Sequence, residues 1–321
     1  MRTQPDKGFR AAVLHGLAQP EKRIPCQYLY DQRGAALFER ICQLDEYYLT
    51  RVEIGLLDRH AGAIAAEAGP RARLVEFGAG SERKARILLA AMESPAEYVP
   101  VDVSRDHLTQ SLADLDAGFP GLSVTPVFAD FMADFALPPP NGHGRTVGFF
   151  PGSTIGNLHP SEAVEFLRRA ARVVGQDGAM LVGVDLKKDE AILNAAYNDI
   201  QGVTAAFSLN LLERINRELD GNFDVASFDH WAHYDAREGR VEIKLVSRRR
   251  QTVRVCGRQF RFDLAEPIHT EYSYKYSPDE FRWLARQGGF ASSSTWIDDQ
   301  RLFSLHYLRP AATAVDGTAI P

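Results

Sequence analysis

The chain is poor in the residues that would mark it as secreted, membrane-inserted or bound to nucleic acid. Its 321 residues include three cysteines, Cys26, Cys42 and Cys256. They are widely spaced and odd in number, which gives no disulfide framework and no CxxC metal pair. Reduced thiols point to a cytoplasmic setting. No apolar run reaches the ~18 residues of a membrane span, and the N-terminal MRTQPDKGFR lacks a hydrophobic signal region. Basic residues do not predominate, since 37 Lys and Arg stand against 42 Asp and Glu for a net charge of −5. A phosphate backbone usually needs a basic face, so neither nucleic acid nor membrane is an expected partner. The run Arg248-Arg249-Arg250 reads as a solvated strand end or turn. His230 and His233 have helical ligand spacing but no third ligand nearby, so no metal site is expected. His159 reads as a surface residue.

What is present is an alternation of short apolar runs with helical periods. Residues 73–77 (RLVEF) form a strand that ends at Gly78, and a helix follows over 84–92. Residues 98–103 form a second strand, followed by a helix over 108–115. Strands are expected at 124–128, 146–150 and 179–184. A helix over 161–174 puts Ala163, Phe166, Leu167 and Ala170 on one face. Such alternation implies a parallel sheet covered on both faces. The pattern then breaks. Residues 187 to about 219 look helical, and 230–262 look like antiparallel strands, a stretch too long for a loop. After Tyr276 the first pattern resumes, with a helix over 278–287 capped by Ser277 and strands at 293–297 and 303–308. The expectation is an α/β fold with a Rossmann-like, seven-stranded, mostly parallel sheet and a closing hairpin. That domain takes residues 53–187 and 276–321. A second, α+β substrate domain takes 1–52 and 188–275. The tail from 309 to 321 is expected to be disordered.

The first strand-to-helix turn carries Glu76-Phe77-Gly78-Ala79-Gly80. Glycines there let the backbone bend sharply and approach a ligand, at the place where an open parallel sheet binds one. A dinucleotide fingerprint would need a third glycine, where this chain has Arg83. The Glu-x-Gly-x-Gly pattern instead resembles the S-adenosylmethionine loop of class I methyltransferases. Asp102, closing the second strand, can accept the ribose hydroxyls. Asp130 and Phe131, just after the third strand, stand where such folds contact adenine. A nicotinamide oxidoreductase is disfavoured by the missing glycine and by the closing hairpin. A non-catalytic nucleotide-fold protein is disfavoured by the intact acidic and glycine positions.

Pro151-Gly152-Ser153-Thr154-Ile155-Gly156-Asn157-Leu158 narrows the reading. GSTIGNL after the fourth strand resembles the L-histidine Nα-methyltransferases of ergothioneine biosynthesis. So do YLYDQRGAALFERICQLDEYYLTR at 28–51, YNDIQGVTAAF at 197–207, NREL at 216–219 and TEYSYKY at 270–276. The resemblance runs from Tyr28 to Leu308. It implies S-adenosylmethionine as methyl donor, S-adenosylhomocysteine as product, and free L-histidine as substrate, methylated three times to hercynine. It also implies roles by position. Gly78, Ala79, Gly80 and Lys84 line the cofactor loop, with Lys84 near the methionine carboxylate. Asp102 holds the ribose, and Asp130 and Phe131 the adenine. Asn157 binds the substrate amine, Tyr47 orients amine and carboxylate, and Tyr197 binds the carboxylate. Tyr30 and Phe38 line the reaction chamber, and Glu271 and Ser273 read the imidazole. Alternation in a strand supports this last pair, because positions i and i+2 share a face. The same alternation equally fits an exposed face on which Lys275 pairs Glu271. One position departs from the family: Ile243 stands where its best-known sequences carry Met. That leaves open another amino acid, such as tryptophan, as substrate.

Overall fold

A computed structural model describes residues 7–80, 82–103, 108, 118–139, 142 and 144–311. Most of the helix expected over 108–115, the tail after 311 and the first six residues lie outside these. In chain order the helices are α1 (Lys7–Leu17), α2 (Gln32–Ile41), α3 (Tyr48–Ala68), α4 (Arg83–Ala91), α5 (Pro160–Val174), α6 (Glu190–Tyr197), α7 (Val203–Glu218) and α8 (Pro278–Gln287). The strands begin with β1 (Arg73–Phe77), β2 (Glu97–Asp102), β3 (Ser123–Val124), β4 (Val127–Phe128), β5 (Thr146–Phe150) and β6 (Ala179–Asp185). They continue with β7 (Phe228–Asp235), β8 (Arg240–Ser247), β9 (Gln251–Val255), β10 (Arg258–Phe262), β11 (Pro267–Tyr274), β12 (Phe290–Ile297) and β13 (Phe303–Pro310). The chain divides into two compact units, Met1–Arg51 with Lys188–Lys275, and Val52–Lys187 with Tyr276–Pro321.

The second of these units is built on one sheet, ordered β12-β13-β6-β5-β1-β2-β3, with β4 also paired to β2. All neighbours from β3 to β6 run parallel, and β13 is antiparallel to both β6 and β12. Every residue of β1 and β6 is buried, as a sheet covered on both faces requires. The chain moves outward from β1 through β2 in one direction and from β5 through β6 in the other. The reversal between β1 and β5 opens a crevice at the carboxyl ends of the strands. The turns that follow β1, β2, β4 and β5 all leave from that end.

Two elements differ from expectation. The third strand, expected over 124–128, is two short pieces, because Pro126 has no N–H to give to the ladder with β2. The helical stretch from 187 is two helices. Gly202, with φ of 70°, holds a left-handed turn between them, and the Asp199 carboxylate caps α7 by accepting from the N–H groups of Val203 and Thr204.

The first unit carries a three-stranded antiparallel sheet, β11-β8-β7, a two-stranded ribbon, β10-β9, and the helices α1, α2, α6 and α7. His230 and His233 lie on β7. A strand sends positions i and i+3 to opposite faces, so their helical spacing has no consequence. No metal-binding group of His, Cys, Asp or Glu occurs among the described residues. Arg248, Arg249 and Arg250 lie in the exposed β8–β9 connection, where each meets an aspartate: Asp229, Asp224 and Asp263. No helix among the described residues is long and apolar enough to cross a membrane.

Helix α8 starts as the sequence indicates. The Ser277 hydroxyl accepts from the Glu280 N–H, the Glu280 carboxylate accepts from the Ser277 N–H, and Pro278 opens the first turn. Ser277→Ala is expected to lower stability by about 1 kcal/mol, read as a shift in the midpoint of chemical denaturation with an unchanged slope.

Candidate active site

The turn after β1 bends at Gly78, whose φ of 71° suits glycine. The N–H groups of Gly78 and Ala79 both donate to the Val101 carbonyl of β2, at 2.9 and 3.2 Å. A Cβ on Gly78 would lie 3.4 Å from the Phe131 ring, whereas one on Gly80 would meet no heavy atom within 4 Å. The turn is thus closed by an aromatic ring at one glycine and open at the other. Asp102 closes β2 and is half-buried. Asp130 is exposed, and its carboxylate accepts from the Met132 N–H at 2.8 Å. Phe131 packs against Phe150 and Phe166, with ring centroids 5.5 and 5.8 Å away. An open glycine turn, a carboxylate at the next strand end and an aromatic ring make a donor and acceptor set that suits an adenosyl cofactor.

Glu53, on α3, was not marked by the sequence, and it organises this side of the unit. Its carboxylate is fully buried. It accepts from the Gly152 N–H at 2.9 Å through both oxygens and lies 2.5 Å from Lys84 Nζ. A buried carboxylate without a cation and N–H donors would be costly, so Glu53 fixes the start of α4 and the turn after β5 together. Gly183 on β6 leaves room for it, since a Cβ there would fall 2.1 Å from a Glu53 oxygen. Beyond Gly152, Ser153 adopts φ of 57°, and its hydroxyl accepts from the Asp185 N–H at 3.0 Å. Asn157 ends the short 3-10 turn Thr154–Asn157 and is half-buried. His159 leads into α5, its N–H held by the Glu162 carboxylate at 2.9 Å.

In the other unit, Tyr30, Phe38, Tyr47 and Tyr197 form a chain of aromatic contacts. Tyr30 meets Phe38 at 5.4 Å, Phe38 meets Tyr47 at 6.2 Å, and Tyr47 meets Tyr197 at 6.2 Å. Phe207 of α7 completes the group, 5.2 Å from Tyr30 and 6.0 Å from Phe38. The sequence reading missed it, although it ends the YNDIQGVTAAF motif. Burial pushes the Tyr47 phenol well above its ordinary value, and neighbouring Tyr197, Cys42, Tyr30 and Glu271 add to the effect. The phenol therefore stays protonated. Tyr197 Oη is 2.8 Å from Ser273 Oγ. Glu271 and Ser273 share a face of β11, and Glu271 lies in register with Ile243 of β8, which is 3% exposed. Ser273 is 3% exposed and Lys275 1%, so this is not a solvated strand face.

The strand order, the closing hairpin and the glycine turn define a class I, S-adenosylmethionine-dependent methyltransferase. Residues 9–310 match the family model described as histidine-specific methyltransferase, SAM-dependent, and the chain belongs to that family. It is 37% identical over 305 residues to a histidine N-alpha-methyltransferase of Mycolicibacterium smegmatis, covering 93% of this chain and 94% of the relative. It is 37% identical over 302 residues to one of Mycobacterium tuberculosis, covering 92% and 93%. A more distant relative, 25% identical over 338 residues with 94% and 92% covered, is an L-tryptophan methyltransferase of Psilocybe serbica.

Glu76 is the titrating group of the cofactor turn. It is buried, and the Tyr98 hydroxyl donates to it at 2.5 Å. Burial pushes its carboxyl from 4.5 up to about 7, while the Tyr98 hydrogen bond and the Lys84 charge pull the other way. A carboxyl whose folded value is raised adds stability that is complete below 4.5 and lost as pH rises through about 7. Melting temperature is therefore expected to fall as pH rises from about 5 to about 8. Glu76→Gln keeps an oxygen for Tyr98 and should show a flatter profile. An equal slope in wild type and variant would assign the pH dependence elsewhere.

Proposed function

We propose that this enzyme transfers methyl groups from S-adenosylmethionine to the α-amino group of free L-histidine, three times in succession, to give hercynine. The observation that carries this reading is the polar group on β11. Glu271 and Ser273 share one strand face, and Tyr197 is bonded to Ser273. A neutral imidazole has one N–H and one bare nitrogen, so an acceptor and a hydroxyl at that spacing suit its ring.

Each unit has its part in the proposal. In the sheet unit, Gly78, Ala79 and Gly80 cradle the cofactor, Asp102 takes the ribose hydroxyls, and Asp130 and Phe131 take the adenine. Lys84 faces the methionine carboxylate, since an ammonium has three donors and Glu53 occupies one. Asn157 accepts a hydrogen from the substrate amine. In the other unit Tyr47 orients amine and carboxylate, Tyr197 binds the carboxylate, and Ile243 walls the ring. Tyr30, Phe38 and Phe207 surround the amine. A small, polar substrate accords with the net charge of −5. A cytoplasmic setting accords with three cysteines outside any disulfide.

When bound, S-adenosylmethionine supplies an electrophilic sulfonium methyl. The chain must then deliver a neutral amine with its lone pair aligned. Burial among aromatic rings disfavours the ammonium form, and alignment alone can lower a barrier by about 7–11 kcal/mol. Tyr47 stays a phenol, so it guides the amine as a hydrogen-bonding group, and the amine proton passes to water. Each methyl added removes an N–H. The quaternary product has none, and the faces of Phe38, Tyr47 and Phe207 hold it by cation–π attraction.

A tryptophan substrate is the second reading, favoured by Ile243 in place of a longer Met. Mass spectrometry of reactions with each free amino acid separates the two. Histidine gaining three methyls is the expected result, whereas methylation of tryptophan with histidine untouched would overturn the substrate assignment. Glu271→Gln is expected to raise KM for histidine on the order of tenfold or more, the worth of a hydrogen bond to a charged group. KM for S-adenosylmethionine should stay within about twofold.

A further inference from the structure

The Glu53–Lys84 pair lies beside the turn that takes the cofactor. The Glu53 side chain is 0% exposed and that of Lys84 is 16% exposed. Both Glu53 oxygens accept from the Gly152 N–H, and one also meets the Lys84 ammonium, so neither has to carry a proton. The ammonium sits against the turn after β5, because a Cβ on Gly152 would lie 3.5 Å from Lys84 Nζ. The pair is also within electrostatic reach of the glycine turn. Burial raises the Glu76 carboxyl of β1 most, the Tyr98 hydrogen bond and the Lys84 charge lower it, and the charges of Glu53 and Asp102 raise it. Glu53, Glu76, Lys84 and Asp102 therefore share one charge neighbourhood.

A methyl donor and its spent product differ in charge. S-adenosylmethionine has a sulfonium where S-adenosylhomocysteine has a neutral thioether. A lysine suits the methionine carboxylate that both ligands carry, but its charge acts against the sulfonium, which only the donor carries. Unit charges still interact over ~10 Å in a partly desolvated site, and buried charges are poorly screened by salt. A lysine with no counter-charge would thus favour the product. Glu53 offsets that charge from 2.5 Å. An ammonium has three N–H groups, so the pairing does not use them up. In a transfer repeated three times, neutral product must give way to charged donor between rounds.

We propose that Glu53 is a charge-balancing residue that sets cofactor specificity: it offsets Lys84, so that a site built around a lysine does not favour the neutral product over the cationic methyl donor. This rests on the placement of Lys84 at the methionine carboxylate given above.

The test is titration calorimetry with histidine present, at pH ~8, where Glu76, at about 7, is ionised. The probes are S-adenosylhomocysteine and sinefungin, in which an ammonium-bearing carbon replaces the methylated sulfur. Neither has a methyl to transfer. Glu53→Gln should shift the ratio of the two Kd values toward S-adenosylhomocysteine on the order of tenfold. Glu53→Asp, which keeps the charge, should hold the ratio within about threefold of wild type. Mere displacement of the loops would weaken both probes in parallel. An unchanged ratio in Glu53→Gln, or the same shift in Glu53→Asp, therefore overturns the inference. Glu53→Gln combined with Lys84→Gln removes both charges and should return the ratio to that of wild type, because the pair is neutral. A shift of about tenfold in that double variant overturns the inference as well, and this comparison stands even where Glu53→Gln alone does not fold. The placement of Lys84 is checked separately with 5′-methylthioadenosine, which lacks the carboxylate. Lys84→Gln should weaken S-adenosylhomocysteine more than it weakens 5′-methylthioadenosine. Equal losses refute the placement of Lys84 and the inference with it, whereas unequal losses with an unchanged Glu53→Gln ratio refute the role of Glu53 alone.

Discussion

A carboxylate with no contact with water sets the order of the cofactor side. Glu53 needs a cation and N–H donors, and Lys84 and Gly152 are what it has. The consequence reaches both loops that a methyltransferase must keep still. Lys84 belongs to the first turn of α4, just after the glycine turn, and Gly152 opens the GSTIGN loop. A single ionised group thus fixes two segments that are remote in sequence. It can do so only because Gly183 leaves the space its oxygens occupy. Where ion pairs on a surface contribute little, this one has a structural role because breaking it would leave a charge buried alone.

The parts of the fold that were legible in the sequence are those set by local apolar pattern. The buried strands β1, β5 and β6, half-exposed only at Thr146 of β5, read as apolar runs, and α5 and α8 read from their periodicity and from Ser277-Pro278. What was illegible depended on a missing atom or a distant partner. Pro126 split a strand that its apolar flanks made look continuous. Gly202 divided a helical stretch whose composition does not change. His230 and His233 fall within the stretch that reads as antiparallel strands, and β7 carries them as such.

The candidate site shows the same division. Motif resemblance picked out Tyr30, Phe38, Tyr47, Tyr197 and Ser273, and the structure joins them through ring contacts and the Tyr197–Ser273 hydrogen bond within a single unit; Ile243, also picked out, lies in register with Glu271. Glu53 was not picked out as a site residue. It is a charged residue of a common type whose meaning lies in its burial, and burial of a charge is visible only once its partners are in place. Phe207 is a second instance, an apolar residue on an ordinary amphipathic helix, whose significance comes from the rings it meets.

The order of strands also bears on how the polypeptide is made. Strand β13 inserts between β12 and β6 and pairs with both. It follows every other described strand in the chain, and the longer segment of the other compact unit, Lys188–Lys275, is encoded between β6 and the hairpin. During synthesis β6 therefore waits with one edge unpaired while residues 188–275 leave the ribosome. An unpaired, largely apolar strand edge is a template for wrong pairing. The nascent enzyme is most exposed to aggregation in that interval, and the arrival of its final hairpin ends the risk.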